Sequence, residues 1–319
     1  MRDSHSVAFR HACPPHSSPA IRSLAFAAAL LVAPGAAALD VDGLWNFEKP
    51  AQSEQRFRAA LATARGDDAF VLQTQIARSY GLRVRFADAR RRLHALTPRL
   101  PQAGPEARVR YWLELGRTYA SAAHPADSQT AYARQRARDD FLRAFAYAKA
   151  AGLDALAVDA LHMLAFVDTA PADQLRWNEL ALEAALSSSE TKARAWEASL
   201  RNNVGYALLQ LGRNEEALAQ FEAALALREQ RHDAEATWVA RWMVARALRA
   251  MGRLDEALQI QHRIEDERDA AHSPDPEVFE ELALLHAAKG ELRLAHLYAV
   301  RAHDAQVPQR SGPSTRAGK

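Results

Sequence analysis

The chain of 319 residues contains a single cysteine, Cys13. This scarcity excludes a disulfide scaffold, cysteine-based zinc modules and a thiol redox pair. Charge of one sign is also lacking, because the net charge is +2 over the whole chain and zero beyond residue 38. Nucleic-acid binders usually carry a strongly basic surface, so we expect no nucleic-acid partner.

The first 38 residues have the pattern of a secretory signal. A basic stretch up to Arg22 is followed by the apolar run Leu24–Ala33, by Pro34 and Gly35, and by three alanines that end at Ala38. We predict a signal peptide over 1–38, cleaved after Ala38, and therefore a periplasmic or secreted protein. A retained anchor is the alternative, although the apolar run is shorter than the roughly 20 residues that span a bilayer. After cleavage we expect no stable membrane span.

Motifs of catalysis and cofactor binding are missing. The chain has no Gly-rich phosphate loop, no His-Glu-x-x-His and no Gly-x-Ser-x-Gly. His286, His296 and His303 cluster near the end, but no carboxylate or cysteine obviously completes a metal site. The adjacent Glu215 and Glu216 fall at a helix start, where acidic side chains interact favourably with the helix dipole. We therefore predict no catalytic residue, no metal, no cofactor and no enzymatic activity.

From Asp40 onward the chain is rich in Ala, Leu, Arg and Glu, which predicts an all-α protein. The segments 212–218, 252–258 and 290–295 resemble one another, and in each a glycine precedes an alanine by five residues. The glycine permits the left-handed backbone that ends one helix. The alanine, early in the next helix, lets two helices approach closely. This pattern predicts repeated helix-turn-helix units.

The repeat length follows from the recurring alanines. Ala89, Ala137, Ala217, Ala257 and Ala295 are separated by 48, 80, 40 and 38 residues. The gap of 80 corresponds to two units, with a diverged copy centred near Trp177. We predict about six units over 67–306, a lead and capping segment over 39–66, and a disordered tail over 307–319.

Two units carry a recognisable signature. One contains Trp112-x2-Leu115-Gly116-x2-Tyr119, followed by Ala137-x3-Phe141, and another contains Ala217-x3-Phe221. The chain thus resembles the tetratricopeptide repeat (TPR) family, in particular uncharacterised bacterial exported TPR proteins, although its units exceed the usual length of about 34 residues. The resemblance implies an α-solenoid of stacked helix pairs whose first helices line a concave groove. It also implies a non-enzymatic scaffold that binds a protein or peptide.

Helical periodicity places a set of aromatic, basic and polar residues on the groove side of the first helices. The candidate peptide-binding residues are Arg117, His162, Asn202, Tyr206, Trp238, Trp242, Arg246 and Arg249. Guanidinium groups bind carboxylates through two hydrogen bonds, and asparagine can pair with a peptide's backbone. Tryptophan and tyrosine provide large rigid contact areas. We therefore expect a protein or peptide partner with an acidic group or a free carboxylate.

Other interpretations remain open at this stage. With five lysines against 36 arginines, the arginine content is also consistent with base composition, and arginine on a solenoid is often simply solvated. The protein could instead be an accessory subunit of an envelope assembly that docks by its convex face. A small-ligand receptor or enzyme with a pocket around His162, Trp177 and Asn202 is a third alternative. The basic run Arg90–Arg92 is either a solvated face or a contact for an anionic lipid or polymer.

Overall fold

Every regular element of the fold is helical. The computed structural model describes residues 39–306, which form fourteen α-helices and three short 3-10 helices without any strand. The predicted signal over 1–38 and the predicted tail over 307–319 lie outside the described residues.

The α-helices follow one another with short connections. They are α1 Pro50–Leu61, α2 Gly66–Gly81, α3 Phe86–His94, α4 Pro105–Arg117, α5 Ala131–Ala151, α6 Asp154–Val167, α7 Pro171–Ser187, α8 Thr191–Arg194, α9 Glu197–Gln210, α10 Asn214–Gln230, α11 Ala234–Ala250, α12 Leu254–Ala270, α13 Pro276–Ala288 and α14 Leu292–Gln306. The 3-10 helices are Asp42–Leu44, Thr97–Gln102 and Ala126–Ser128.

Twelve of these helices form six successive pairs. The pairs are α2 with α3, α4 with α5, α6 with α7, α9 with α10, α11 with α12, and α13 with α14, and consecutive pairs pack on each other. Helix α1 packs on α2 and caps the first pair, while the single-turn α8 lies against α6 and α7. The predicted solenoid of about six helix-turn-helix units with a capping helix is therefore confirmed.

Turns within the pairs explain the repeated glycines. Gly212 and Gly252 have φ of +75°, the left-handed conformation that glycine adopts without steric cost. A hydrogen bond closes the turn at Gly212, because the Arg213 N–H donates to the Leu208 carbonyl at 3.0 Å. In the first pair the corresponding residue is Val84, with φ of +61°. A β-branched residue is strained in this conformation, so the first turn stores strain that the later turns avoid.

Close approach of the two helices explains the glycine of the signature. A Cβ atom on Gly116 would lie 2.5 Å from the Phe141 ring, and one on Gly205 would lie 2.6 Å from Phe221. Both phenylalanines are fully buried. Units two and four therefore share one local packing arrangement, with an aromatic ring from the second helix seated on a glycine of the first.

The hydrophobic core runs along the solenoid in two clusters. One cluster spans helices α4 to α9 and the other spans α7 to α14. Leu182 of α7 packs against both clusters and joins them. Each helix pair buries its apolar side against its neighbours, so the core depends on stacking. The side of each first helix that faces away from this core can therefore carry polar side chains.

Candidate functional site

The first helices of the first three pairs enclose a cavity of about 250 Å³, here called the Phe166 cavity. Helices α2, α4 and α6, the segment 121–123 that follows α4, and Trp196 just before α9 line it. Its charged and aromatic lining residues are Arg78, Glu114, Arg117, Asp159, His162, Phe166 and Trp196. Because successive first helices lie side by side, residues distant in sequence meet in this one cavity.

Four charged side chains form a continuous chain beside the cavity. Arg117 donates from Nη1 to Glu114 Oε1 at 2.8 Å and from Nη2 to Asp159 Oδ1 at 2.5 Å. Arg78 donates from Nη1 to the same Glu114 oxygen at 3.4 Å. The two positive and two negative charges cancel, and Glu114 is only 2% exposed. These contacts join α2, α4 and α6, so the network holds the walls of the cavity together.

Burial and mutual attraction set the protonation of this network. Burial alone would raise the pKa of Asp159, but the neighbouring Arg117 and Arg78 outweigh it and hold that pKa below its ordinary value. Burial opposes the charge on Arg117, yet Asp159 and Glu114 raise the pKa of that guanidinium. Asp159 and Arg117 are therefore both charged at neutral pH, and an ionised, arginine-bound carboxylate is poorly suited to general acid catalysis.

His162 belongs to the aromatic wall of the cavity. Its ring centroid lies 5.0 Å from that of Phe166 and 5.2 Å from that of Trp196. Its Nδ1 is 3.3 Å from Asn203 Nδ2 on α9. Burial lowers the pKa of His162, so the imidazole is neutral at pH 7 and acts as a polar aromatic surface.

A second cavity of about 450 Å³ adjoins the first and is here called the Phe47 cavity. The two cavities share Arg78, Asp159 and Trp196. Phe47 comes from the segment before α1, where it stacks on Trp45 with ring centroids 4.7 Å apart. The Arg78 guanidinium carbon lies 5.6 Å and 5.3 Å from these two rings. The lead segment therefore contributes a wall to the site.

On the later helices, four of the predicted residues form what we call the C-terminal patch: Asn202, Tyr206, Trp242 and Arg246. The Arg246 guanidinium carbon lies 4.7 Å from the Trp242 ring centroid and 5.9 Å from that of Tyr206. Within residues 39–306, Arg246 makes neither an ion pair nor a hydrogen bond. Asn202 precedes Tyr206 by one helical turn on α9, as Trp242 precedes Arg246 on α11. The patch thus combines a cation, two aromatic rings and an amide.

The other four predicted residues lie elsewhere. Arg249 donates to both carboxylate oxygens of the buried Glu281, at 2.5 Å and 3.1 Å. Trp238 turns towards α12, where its Nε1 donates to Glu267 at 2.7 Å and Arg268 covers its ring. Arg117 and His162 line the Phe166 cavity. The eight candidates therefore divide between a cavity, a patch and two separate structural contacts.

Sequence reasoning did not single out Glu114, Trp196, Trp45 or Phe47. The charged network could have been anticipated from the sequence, because Arg78 and Arg117 occupy the same repeat position in two successive first helices, α2 and α4. The Phe166 cavity differs from the small-ligand pocket that the sequence suggested around His162, Trp177 and Asn202. Its lining includes His162 but neither Trp177 nor Asn202. Trp177 lies on the second helix α7, where its Nε1 donates to Asp168 at 2.7 Å.

Two of the remaining acidic and histidine candidates, Glu216 and His286, have structural partners. Glu216 pairs with Arg213 at 2.6 Å, and Glu256 pairs with Arg253 at 2.7 Å at the same position of the next unit. His286 Nδ1 lies 2.6 Å from Glu291 Oε2. Among residues 39–306 no three His, Cys, Asp or Glu side chains are arranged to hold a metal ion. Over the same residues no helix is both long enough and apolar enough to cross a bilayer.

Comparison with known families identifies the repeat. A tetratricopeptide repeat model matches residues 196–266, which cover α9 to α11 and most of α12 and hence nearly all of the fourth and fifth pairs. The likeness to tetratricopeptide repeats is confirmed. The matched segment holds all four residues of the C-terminal patch, whereas the Phe166 cavity lies almost entirely before it. No curated protein matches the chain in sequence.

Several solved structures are similar in fold to this chain over most of its length. RapI, in its apo form, is 10% identical with a TM-score of 0.65, over 83% of this chain and 73% of RapI. NprR in complex with its cognate peptide NprX is 16% identical with a TM-score of 0.51, over 83% of this chain and 76% of NprR.

A third similar structure is a signal transduction ATPase with numerous domains and a tetratricopeptide repeat sensor, from Pyrococcus horikoshii. It is 13% identical with a TM-score of 0.62 over 80% of this chain. This chain spans 38% of the length of that ATPase. At such identities the three comparisons show a common fold.

Proposed function

We propose that the protein is a peptide-binding or protein-binding TPR scaffold whose C-terminal patch holds an acidic group of the partner. The observation that carries this proposal is the Arg246 guanidinium, which stacks on Trp242 and Tyr206 and has no anionic partner among the described residues. The other arginines predicted for the groove, Arg117 and Arg249, are already bound to buried carboxylates.

The geometry of Arg246 suits recognition of a carboxylate. Stacking on aromatic faces orients the planar guanidinium and leaves its N–H edge free for two parallel hydrogen bonds. The surrounding rings lower local hydration, which strengthens a charge-assisted hydrogen bond. Asn202, one turn away, offers one donor and one acceptor to the backbone of an extended chain. An acidic side chain or a terminal carboxylate of a peptide would satisfy the whole patch.

The fold supports the same proposal. The patch lies on first helices, which in a TPR solenoid line the concave surface, and the similar NprR structure was solved with its cognate peptide bound. A pre-formed concave surface binds without the entropic cost of ordering the receptor. Binding is favoured over catalysis because both carboxylates of the Phe166 cavity are engaged by arginines.

The experiment begins with cross-linking of the protein in its native cells to capture the partner. Affinity for that partner is then measured for Arg246→Ala and Trp242→Ala. We expect each substitution to weaken binding by about tenfold to a hundredfold, as for a hot-spot residue. Arg253→Ala is the matched control, since Arg253 forms an exposed pair with Glu256 away from the patch. Unchanged affinity in both patch variants would remove the patch from the proposal.

We also propose that the protein acts outside the cytoplasm, in the periplasm or beyond. The support is the signal pattern over 1–38, with small residues before the expected cleavage site. Cell fractionation and N-terminal sequencing test it, with a mature chain that begins at Leu39 as the expected result. A cytoplasmic protein that retains Met1 would contradict the location and leave the binding proposal intact.

A further inference from the structure

We propose that the Phe166 cavity binds one amino-acyl unit with a large apolar side chain, and that Arg78 and Asp159 hold the polar backbone groups of that unit. The inference rests on the proposed function for the source of the unit, which is a residue of the bound peptide. It assigns a second contact region, formed by the first three helix pairs and separate from the C-terminal patch.

The size of the cavity limits the occupant. A dry cavity of about 150 Å³ lined by Leu, Ile and Phe accommodates a benzene molecule. The Phe166 cavity, at about 250 Å³, is larger and is open enough to be reached from outside. It therefore has room for a side chain from the size of leucine to that of tryptophan, and it is too small for a helix or a folded segment.

The walls of the cavity favour an apolar occupant. Phe166 and Leu82 are each 40% exposed, and open apolar side chains of this kind are typical of the walls of a ligand pocket. Met163 and Trp196 complete this apolar wall. An apolar side chain in the cavity would cover these surfaces and stack against Phe166 and Trp196.

Arg78 and Asp159 lie between the Phe166 cavity and the Phe47 cavity and form what we call the partition. Both side chains have unused hydrogen-bonding capacity. Within residues 39–306 the Arg78 side chain makes a single hydrogen bond, the 3.4 Å contact with Glu114, and its Nε is buried without a partner. Asp159 binds Arg117 through Oδ1, and its Oδ2 accepts no hydrogen bond from residues 39–306. Arg78 and Asp159 both line the Phe166 cavity and the Phe47 cavity.

This pair matches the backbone of one residue. A peptide carbonyl would accept a hydrogen bond from the Arg78 guanidinium, and a peptide N–H would donate to Asp159 Oδ2. With the backbone at the partition, the side chain would enter the Phe166 cavity and the neighbouring residue would lie in the Phe47 cavity. The arrangement thus gives the peptide a path across the site.

The charge balance selects against ionised side chains. Arg78, Glu114, Arg117 and Asp159 together are neutral, so an additional buried charge would have no counter-ion. Lysine, arginine, aspartate and glutamate are therefore disfavoured as the occupant. Leucine, methionine, phenylalanine and tryptophan are favoured.

The test titrates the purified protein with capped amino acids in a calorimeter. The probes are the N-acetyl amides of leucine, phenylalanine and tryptophan, with those of glycine and glutamate for comparison, and free leucine and phenylalanine as a separate series. We expect the apolar capped probes to bind with Kd below about 1 mM, in keeping with the ligand efficiency of small molecules. The glycine and glutamate probes should bind at least about tenfold more weakly, since they lack the apolar contact or add a charge.

Substitutions test whether the probes bind in the Phe166 cavity or elsewhere on the protein. Phe166→Ala should weaken the apolar capped probes by about tenfold, because it removes the stacking surface from a partly exposed position. Leu180→Ala, at a similarly exposed position on α7, is the control and should leave affinity unchanged. Arg246→Ala should also leave these probes unaffected.

Three results would overturn the inference. These are no binding of any apolar capped probe, equal binding to Phe166→Ala and the unsubstituted protein, and binding of the free amino acids without the capped ones. If the native partner binds Phe166→Ala normally but fails to bind Arg246→Ala, the cavity proposal fails and the proposed function stands. The reverse result would retain the cavity and remove the C-terminal patch.

Discussion

Two arginines on first helices, one in the first three helix pairs and one in the last three, are used in opposite ways. In the first three, Arg117 is bound to Glu114 and Asp159 and its side chain is 13% exposed. In the last three, Arg246 lies on two aromatic rings and meets no carboxylate among the described residues. Both residues occupy first helices, and both were candidates for the same groove.

The difference shows that position on a groove face does not make an arginine available to a partner. A guanidinium enclosed by two carboxylates is committed to the fold, because a ligand would have to displace internal ion pairs to reach it. A guanidinium stacked on aromatic rings keeps its hydrogen-bonding edge free. The first region is therefore suited to neutral apolar contacts, and the second region to an acidic group.

The largest expected effect comes from removing the two arginines one at a time. Arg117→Met leaves two buried carboxylates without their main counter-ion and should lower the free energy of unfolding by about 3–5 kcal/mol. Arg246→Met should change it by less than about 1 kcal/mol, because that side chain loses its contacts with the Trp242 and Tyr206 rings but no ion pair within residues 39–306. Urea unfolding followed by circular dichroism measures both. Similar losses in the two variants would end the distinction between structural and available arginines.

Sequence reasoning predicted the architecture well, for a physical reason. Glycines such as Gly212 and signature pairs such as Gly205 with Phe221 reflect local requirements of a turn and of a close helix contact. Such requirements recur in several units and can be read from spacing. The six pairs and their order follow from them.

The cavities could not be predicted in the same way. The Phe166 cavity depends on which charges of adjacent first helices meet, and the Phe47 cavity on a lead segment whose Asp42 reaches Lys192 of α8 at 2.6 Å. These contacts join residues far apart in sequence and follow no repeat. The contacts of Trp238 with Glu267 and Arg268 of the neighbouring helix likewise follow no repeat.

A second prediction uses two buried aspartates of the first three pairs. Asp159 is held by arginines, whereas both carboxylate oxygens of the fully buried Asp140 on α5 lack a hydrogen bond and its closest cation, Arg143, is 3.5 Å away. Burial raises the pKa of Asp140 to about 6. Its folded pKa exceeds its unfolded value, so its contribution to stability is complete below about pH 4 and is lost as the pH rises through 6.

Asp140→Asn should therefore stabilise the protein by about 2 kcal/mol at pH 7 and by almost nothing at pH 4. Urea unfolding at both pH values measures the change. The control is Asp173→Asn, since Asp173 forms an exposed pair with Arg176 and its substitution should leave the free energy of unfolding nearly unchanged at both pH values. A gain of equal size at pH 4 and pH 7 would show that the titration of Asp140 is not its source.

The smallest expected effect concerns the turns inside the first and fourth pairs. Val84 and Gly212 occupy corresponding positions with φ of +61° and +75°, and only glycine adopts this conformation without strain. Val84→Gly should raise stability by about 1 kcal/mol, because relief of the left-handed strain exceeds the entropy that glycine adds to the unfolded chain.

The reciprocal change, Gly212→Ala, should lower stability by about 1 kcal/mol through backbone strain alone, since no atom lies within 4 Å of the new Cβ position. Thermal unfolding compares the two variants. A loss of stability in Val84→Gly would mean that the exposed valine makes a contact that outweighs its strain. The first turn would then differ from the later ones in packing and not only in sequence.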